Sequence, residues 1–127
     1  MLLETPSLLI ADDDQAFRET LGEVFEIRGY RALLASDGVE AFSIARREPV
    51  HVLLLDMHMP EWSGLETIRR LREFRVHIPW ILMSAALDES IVREAREADA
   101  FTVVPKPVRC AELTSVVAQA LRSRFSV

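Results

Sequence analysis

The sequence predicts an α/β fold in which a parallel sheet is covered by helices on both faces. Short apolar runs alternate with longer segments whose apolar residues recur at helical spacing. The third run, residues 50–55, is almost wholly apolar, as a strand buried on both faces would be. A chain of 127 residues, half of them apolar, is long enough for one domain with its own core.

Five strands and five helices are expected in alternation. The strands are predicted over residues 7–11, 31–35, 50–55, 79–84 and 101–104. The helices are predicted over residues 14–28, 37–47, from 64 onward, 88–98 and 110–122. Gly29 is placed to end the first helix, Asp37 to cap the second, and Pro49 to break it.

The relative hydrophobicity of the strands predicts their order. Right-handed crossovers through the helices make all the strands parallel. The third strand belongs at the centre and the less apolar second strand near an edge, which favours the doubly wound, flavodoxin-like order 2-1-3-4-5. A single domain is expected over residues 1–127, with its core at about 7–122 and no further domain in this chain.

Composition and charge argue against several classes of protein. No apolar run approaches the roughly 20 residues that cross a bilayer, so no membrane association is expected. The first ten residues lack the basic segment of a signal peptide, and the single cysteine, Cys110, fits a reducing compartment, so we expect a cytoplasmic protein. The net charge of −5 argues against direct binding of nucleic acid.

Polar side chains follow the predicted strands at their carboxyl ends. They are Asp12 and Asp13, Asp56, Ser84 and Lys106. Because these ends lie side by side in a doubly wound sheet, the three carboxylates should meet and repel one another unless a cation lies between them. Mg²⁺ prefers such oxygen ligands, and a lysine opposite it would complete a clamp on a phosphoryl group. The residues therefore predict phosphoryl transfer to or from Asp56, with the Ser84 hydroxyl as a further donor.

Lys106 stands out because it is the only lysine beside 14 arginines. An ammonium on a flexible chain can follow a phosphoryl group in a way that the planar fork of arginine does not. His58 is expected to face solvent beside the site. His51 and His77 precede strands and are also expected to be exposed, and no zinc site is indicated.

The chain resembles the receiver domain of two-component response regulators, of the chemotaxis-regulator type. The resemblance covers residues 8 to about 121, and the matching segments are LLIADDD (8–14), GY (29–30), DGVEA (37–41), LLLDMHMP (53–60), SGLE (63–66), SA (84–85) and KP (106–107). Each segment alone is a weak signal, but their order and spacing together are specific.

The resemblance implies a role for each acidic residue. Asp56 would be the phosphoacceptor for a sensor histidine kinase, a phosphotransfer protein or a small phosphodonor. Asp13 and Asp56 would bind Mg²⁺ directly, Asp12 largely through water, and His58 through its backbone carbonyl. Such a domain is a signalling switch and not an enzyme, except that it catalyses its own phosphorylation and dephosphorylation.

The resemblance also implies a switching mechanism. Ser84 and Lys106 would contact the phosphoryl group, with the Lys106–Pro107 peptide bond cis. Phosphorylation would then change the surface formed by helix 4, strand 5 and helix 5, which binds a downstream protein or a tethered output domain. The protein would be a monomer or a weak dimer.

Two positions depart from the family pattern. Val103, three residues before the lysine, stands where the family usually has an aromatic ring that responds to the movement of Ser84. Phe101 shares the strand face of Val103 but is not expected to replace that ring. Pro105 removes an amide donor at the end of strand 5.

Three alternative functions remain at this point. A degenerate receiver that serves only as a protein-interaction module would explain Val103. A phosphatase of the haloacid-dehalogenase type also uses an Asp nucleophile, Mg²⁺ and lysine, but residues 12–16 do not complete its motif. A flavodoxin-like cofactor carrier would need a phosphate-binding loop after strand 1, which the sequence does not show.

Overall fold

A parallel five-stranded sheet in the order β2-β1-β3-β4-β5 organises the computed structural model, which describes residues 5–125. The strands are β1 (Ser7–Ala11), β2 (Arg31–Ala35), β3 (Val52–Asp56), β4 (Trp80–Ser84) and β5 (Thr102–Pro105). The helices are α1 (Gln15–Ile27), α2 (Gly38–Arg47), α3 (Gly64–Glu73), α4 (Glu89–Glu97) and α5 (Cys110–Arg124). The predicted fold class and strand order are confirmed, while residues 1–4 and 126–127 of the predicted domain lie outside the described residues.

The central strands β1, β3 and β4 are buried along their whole length. Alternate residues of each strand face opposite sides of the sheet, which separates the core into two apolar clusters. On β1, Leu8 and Ile10 belong to the cluster that includes residues of α1 and α5, whereas Leu9 belongs to the cluster that includes residues of α2, α3 and α4. A sheet covered on both faces in this way leaves its strand ends as the accessible places for polar chemistry.

Four of the helices begin at a polar capping residue. Asp14, Asp37, Ser63 and Asp88 each accept a hydrogen bond from the backbone N–H three residues further on. Each such cap stabilises a helix by about 1 kcal/mol. Because these caps follow the carboxyl ends of β1, β2 and β4 and the loop after β3, they also fix the loops at that edge of the sheet.

The observed element boundaries differ from the predicted ones by one or two residues. β3 begins at Val52 and ends at Asp56, and β5 includes Pro105, which pairs in register with Ser84. Proline is tolerated there because β5 is an edge strand, where one side of the backbone has no strand partner. α5 continues two residues beyond the predicted end, to Arg124.

The prediction that His51 is exposed is wrong. His51 is half-buried, and its Nδ1 accepts a hydrogen bond from the backbone N–H of Ser7 at 2.9 Å. Its ring also packs in a T-shaped arrangement with the Phe125 ring, with 5.2 Å between the ring centroids. The imidazole therefore connects the start of β1 to the residue that follows α5. His77 is exposed, as expected.

Across residues 5–125, no helix is long and apolar enough to span a bilayer.

Candidate functional site

Three carboxylates meet at the carboxyl edge of the sheet. Asp12 and Asp13 directly follow β1, and Asp56 is the last residue of the neighbouring strand β3. One carboxylate oxygen from each of the three lies within 4.8 Å of the others. Asp12 is fully buried and Asp56 is 4% exposed, whereas Asp13 is exposed. The cluster thus has two buried members and one that faces solvent.

The ammonium group of Lys106 lies against the two buried carboxylates. Its Nζ is 2.6 Å from Oδ2 of Asp12 and 3.4 Å from Oδ2 of Asp56. The other carboxylate oxygen of Asp12, Oδ1, accepts a hydrogen bond from the backbone N–H of Asp14 at 2.9 Å. The two buried carboxylates therefore share one cationic partner, Lys106, which offsets part of the repulsion between them.

Backbone hydrogen bonds fix the residues that carry these side chains. The N–H of Asp12 donates to the carbonyl of Ala35 at 3.1 Å, and the N–H of Lys106 donates to the carbonyl of Ser84 at 2.9 Å. The guanidinium of Arg18 donates to the carbonyl of Asp12 at 2.7 Å. The peptide bond between Lys106 and Pro107 is cis. The strand ends and the lysine loop are therefore held in a defined arrangement.

The electrostatics of the cluster raise two pKa values in particular. Burial, and then the charge of Asp12, raise the pKa of Asp56 above its usual value, although Lys106 and the backbone N–H of His58 act in the opposite direction. For Lys106, burial acts to lower the pKa, but the hydrogen bond and charge of Asp12, together with those of Asp56, outweigh it and raise the pKa. Lys106 is therefore held in its cationic form.

Ser84 ends β4 and is fully buried. Its hydroxyl donates to the carbonyl of Ala86 and accepts from the N–H of Ala86, both at 3.2 Å. The side chain is thus engaged with its own loop. His58 is exposed in the loop after β3, as expected.

Val103 is half-buried on β5 and packs with the apolar cluster on the α4 side of the sheet. A shallow cavity beside it is lined mainly by residues of α4 and β5: Leu87, Val92, Arg96, Ala100, Phe101, Thr102 and Val103. Leu87 and Phe101 are 40% and 39% exposed, so this surface carries accessible apolar groups.

Phe17 and Arg18 also contribute to the site, although no sequence motif distinguishes them. The Phe17 ring lies 4.7 Å from Nζ of Lys106, and Arg18 bonds the backbone of Asp12. Both are among the first four residues of α1, which begins at Gln15. The spacing places Phe17 on the buried side of α1 but carries no signal that its ring reaches a residue 89 positions further along the chain.

The donor set fits a hard divalent cation. Carboxylate oxygens from Asp12, Asp13 and Asp56 converge, and Mg²⁺ takes such oxygen ligands while keeping several waters. The exposed position of Asp13 leaves one side of the cluster open to water. The acidic cluster and its lysine therefore match the chemistry expected of a magnesium-binding acidic pocket.

The fold and the site define a small doubly wound α/β domain with a carboxylate–lysine centre at its strand ends. The family model described as response regulator receiver domain matches residues 8–118. The chain therefore belongs to the response regulator receiver domain family, whose members are signalling domains.

Individual relatives agree with this assignment. Sporulation initiation phosphotransferase F of Bacillus subtilis is 33% identical over 110 residues, which cover 87% of this chain and 89% of that protein. Response regulator MprA of Mycobacterium leprae is 36% identical over 115 residues, which cover 91% of this chain and 50% of that protein. The chain thus spans half the length of MprA.

Solved structures show the same architecture. The receiver domain of Francisella response regulator 1452 superposes with a TM-score of 0.89 at 26% identity, covering 94% of this chain and 99% of that one. A CheY-like receiver domain protein from Methanospirillum hungatei has a TM-score of 0.89 at 22% identity, covering 94% and 96% of the two chains. The second of these likenesses concerns the fold alone.

Proposed function

We propose that this protein is the phosphoacceptor of a two-component phosphorelay and that Asp56 receives the phosphoryl group. The observation that carries the proposal is the position of the Asp56 carboxylate, which lies between two further carboxylates and a lysine ammonium. The donor would be the phosphohistidine of a sensor histidine kinase or phosphotransfer protein, or a small phosphodonor. The resemblance of the chain to sporulation initiation phosphotransferase F supports this choice.

In the transfer step, an Asp56 carboxylate oxygen forms a bond to phosphorus. The bond from phosphorus to the imidazole nitrogen of the donor breaks, and its electron pair stays on that nitrogen. Lys106, whose Nζ is 3.4 Å from Oδ2 of Asp56, would stabilise the negative charge on the phosphoryl oxygens. Reversal of the switch is hydrolysis, in which a water oxygen bonds to phosphorus, the bond from phosphorus to the Asp56 oxygen breaks, and inorganic phosphate leaves with the protons of the water.

The residues that would hold Mg²⁺ are Asp13, Asp56, the backbone carbonyl of His58 and, largely through water, Asp12. The bound ion would neutralise the carboxylates and the oxygens of the transferred group. Asp13 is the accessible member of the set, whereas Asp12 is already engaged by Lys106 at 2.6 Å. This difference favours direct coordination of Mg²⁺ by Asp13 and coordination through water by Asp12.

Signalling would follow from rearrangement around Ser84 and Val103. To donate to a phosphoryl oxygen, the Ser84 hydroxyl would give up the hydrogen bond that it donates to the carbonyl of Ala86, and the loop before α4 would move as a result. Val103 lies on the α4 side of β5, beside the exposed Leu87 and Phe101. We propose that the surface of α4, β5 and α5 changes in response and binds a downstream protein or a tethered output domain.

We also propose a cytoplasmic protein that acts as a monomer or a weak dimer and binds no nucleic acid through this domain. The exposed thiol of Cys110 fits a reducing compartment, and the net charge of −5 opposes contact with phosphate backbones.

The direct test is the intact mass of the protein after incubation with Mg²⁺ and acetyl phosphate. Wild type should gain one phosphoryl group, and the gain should disappear in Asp56→Asn and when Mg²⁺ is chelated. Asp14→Asn is the matched control, because Asp14 belongs to the same acidic run but caps α1 and lies outside the carboxylate cluster. An adduct that persists in Asp56→Asn contradicts the assignment of the acceptor.

The second candidate, an interaction module that accepts no phosphoryl group, is favoured only by Val103. It predicts no mass gain and no beryllofluoride complex in wild type. Formation of that complex in wild type, with its loss in Asp56→Asn, supports the phosphoacceptor.

A further inference from the structure

The ammonium group of Lys106 has an aromatic neighbour as well as two carboxylates. Its Nζ lies 4.7 Å from the centroid of the Phe17 ring, within the range of a cation–π interaction. The two acceptors on its other sides are Asp12 at 2.6 Å and Asp56 at 3.4 Å. These three electron-rich groups come from the loop that follows β1, from the end of β3 and from α1.

Phe17 is held firmly in this position. Its backbone N–H donates to the capping carboxylate of Asp14 at 3.1 Å, and the next residue, Arg18, donates to the carbonyl of Asp12 at 2.7 Å. The ring is half-buried and packs against the apolar cluster under α1. The first turns of α1 thus fix the ring relative to the acidic residues that follow β1.

We propose that Phe17 is a positioning residue for Lys106, and that its ring holds the ammonium within reach of Asp56. This inference rests on the proposed function, in which Lys106 contacts the phosphoryl group. A ring attracts a cation without adding negative charge, whereas a further carboxylate would increase the repulsion within the cluster. The ring keeps Nζ near Asp56 when the lysine exchanges its contact with Asp12 for one with a phosphoryl oxygen.

The position of the ammonium is measurable because the chain contains one lysine. Protein grown with ¹³C-lysine gives a single ε-methylene signal, and the Phe17 ring current should move it upfield. We expect Phe17→Tyr to keep this displacement and Phe17→Leu to lose it. Phe25→Leu is the matched control, because Phe25 is a buried ring of the same helix that packs with Tyr30 and lies outside the site. An unchanged signal in Phe17→Leu overturns the inference.

The functional consequence is tested by the initial rate of labelling with acetyl phosphate and Mg²⁺. Phe17→Leu should label about 2- to 30-fold more slowly than wild type, the range that a single cation–π contact supports. The labelling rate of Phe17→Tyr should stay within about 2-fold of the wild-type rate. The labelling rate of Phe25→Leu should stay within the same range at temperatures where thermal unfolding shows that this variant is folded. Equal rates for wild type and Phe17→Leu overturn this inference but leave the phosphoacceptor in place. If wild type itself takes no phosphoryl group, the proposed function fails and this inference fails with it.

Discussion

Gly64 lies directly against the backbone of Asp56. A Cβ atom at position 64 would be 2.6 Å from the carbonyl oxygen of Asp56 and 2.8 Å from Cδ1 of Leu82. The N–H of Gly64 also donates to the carbonyl of Met57 at 3.0 Å. Helix α3 therefore begins in close contact with the strand end that carries the proposed acceptor, and only a residue without a side chain fits there.

We expect Gly64→Ala to destabilise the protein by about 1–3 kcal/mol, since backbone atoms have to move to relieve the overlap. Labelling of Asp56 should slow as well, because the displaced atoms belong to Asp56 itself. Urea unfolding and intact mass measure the two effects. Gly22→Ala is the control, since its Cβ would meet the flexible Leu34 side chain at 3.3 Å within a helix that alanine favours. Equal stability of the two variants contradicts this prediction.

Asp56→Asn should raise the free energy of unfolding at pH 7 by about 1 kcal/mol, because it removes one of two buried like charges. The pKa of Asp56 is raised by burial and by Asp12, so the folded state holds the Asp56 proton more tightly than the unfolded state. The contribution of Asp56 to stability is therefore fully present below its unfolded pKa, near 3.8, and is lost as pH rises through its folded pKa. Urea unfolding over a pH series should show this loss in wild type and not in Asp56→Asn. A variant that is less stable than wild type at pH 7 contradicts the prediction.

Lys106→Met should lower the free energy of unfolding at neutral pH, in contrast to Asp56→Asn. It leaves the fully buried carboxylate of Asp12 without its cationic partner, which costs about 3 kcal/mol at neutral pH. Asp12 and Asp56 raise the pKa of Lys106 against the effect of burial, so the contribution of the lysine is fully present below its unfolded pKa and is lost as pH rises through the folded pKa. Chemical unfolding at neutral and alkaline pH measures this loss. Arg93→Met, an exposed cation on α4, should change stability by less than about 0.5 kcal/mol. If Lys106→Met changes the free energy of unfolding by as little as Arg93→Met does, the ion pair between Lys106 and Asp12 does not stabilise the fold.

His51→Ala should cost about 1–3 kcal/mol, because the buried N–H of Ser7 loses its acceptor and the Phe125 ring loses its neighbour. His51→Asn should recover part of this loss, since the Asn carbonyl can accept the same hydrogen bond. The control is His77→Ala, which also precedes a strand but is exposed. Thermal unfolding compares the three variants. If His51→Ala and His77→Ala unfold at the same temperature, the hydrogen bond to Ser7 contributes nothing.

The strand order and the acidic cluster were predictable from one physical argument. A nearly continuous apolar run identifies β3 as a central strand, and parallel strands bring their carboxyl ends to one edge. Asp12, Asp13 and Asp56 then have to meet, although 43 positions separate Asp13 from Asp56 in the sequence. Topology alone produces this juxtaposition, so no side-chain detail was needed.

Contacts made by individual side chains were not predictable in the same way. The apolar pattern puts Phe17 on the inner face of α1, but its distance from Lys106 depends on where the loop after β5 lies relative to α1. His51 lies at the start of the predicted third strand, residues 50–55, where the apolar pattern does not show which neighbour a polar ring meets. Its hydrogen bond to Ser7 depends on the register of β1 and β3. Pattern arguments assign residues to faces, whereas packing decides which neighbour each residue meets.

The unequal burial of the strands has a consequence for how the molecule opens. β2 leaves Arg31 and Leu34 exposed at the edge of the sheet, whereas β1 and β3 are buried at every position. Detaching β2 should uncover less apolar surface than separating β1 from β3, whose residues belong to both core clusters. We therefore expect the backbone amides of β2 to exchange with solvent through partial opening, and those between β1 and β3 to exchange through global unfolding. Asp56, the last residue of β3, therefore belongs to the part of the sheet that is expected to unfold last.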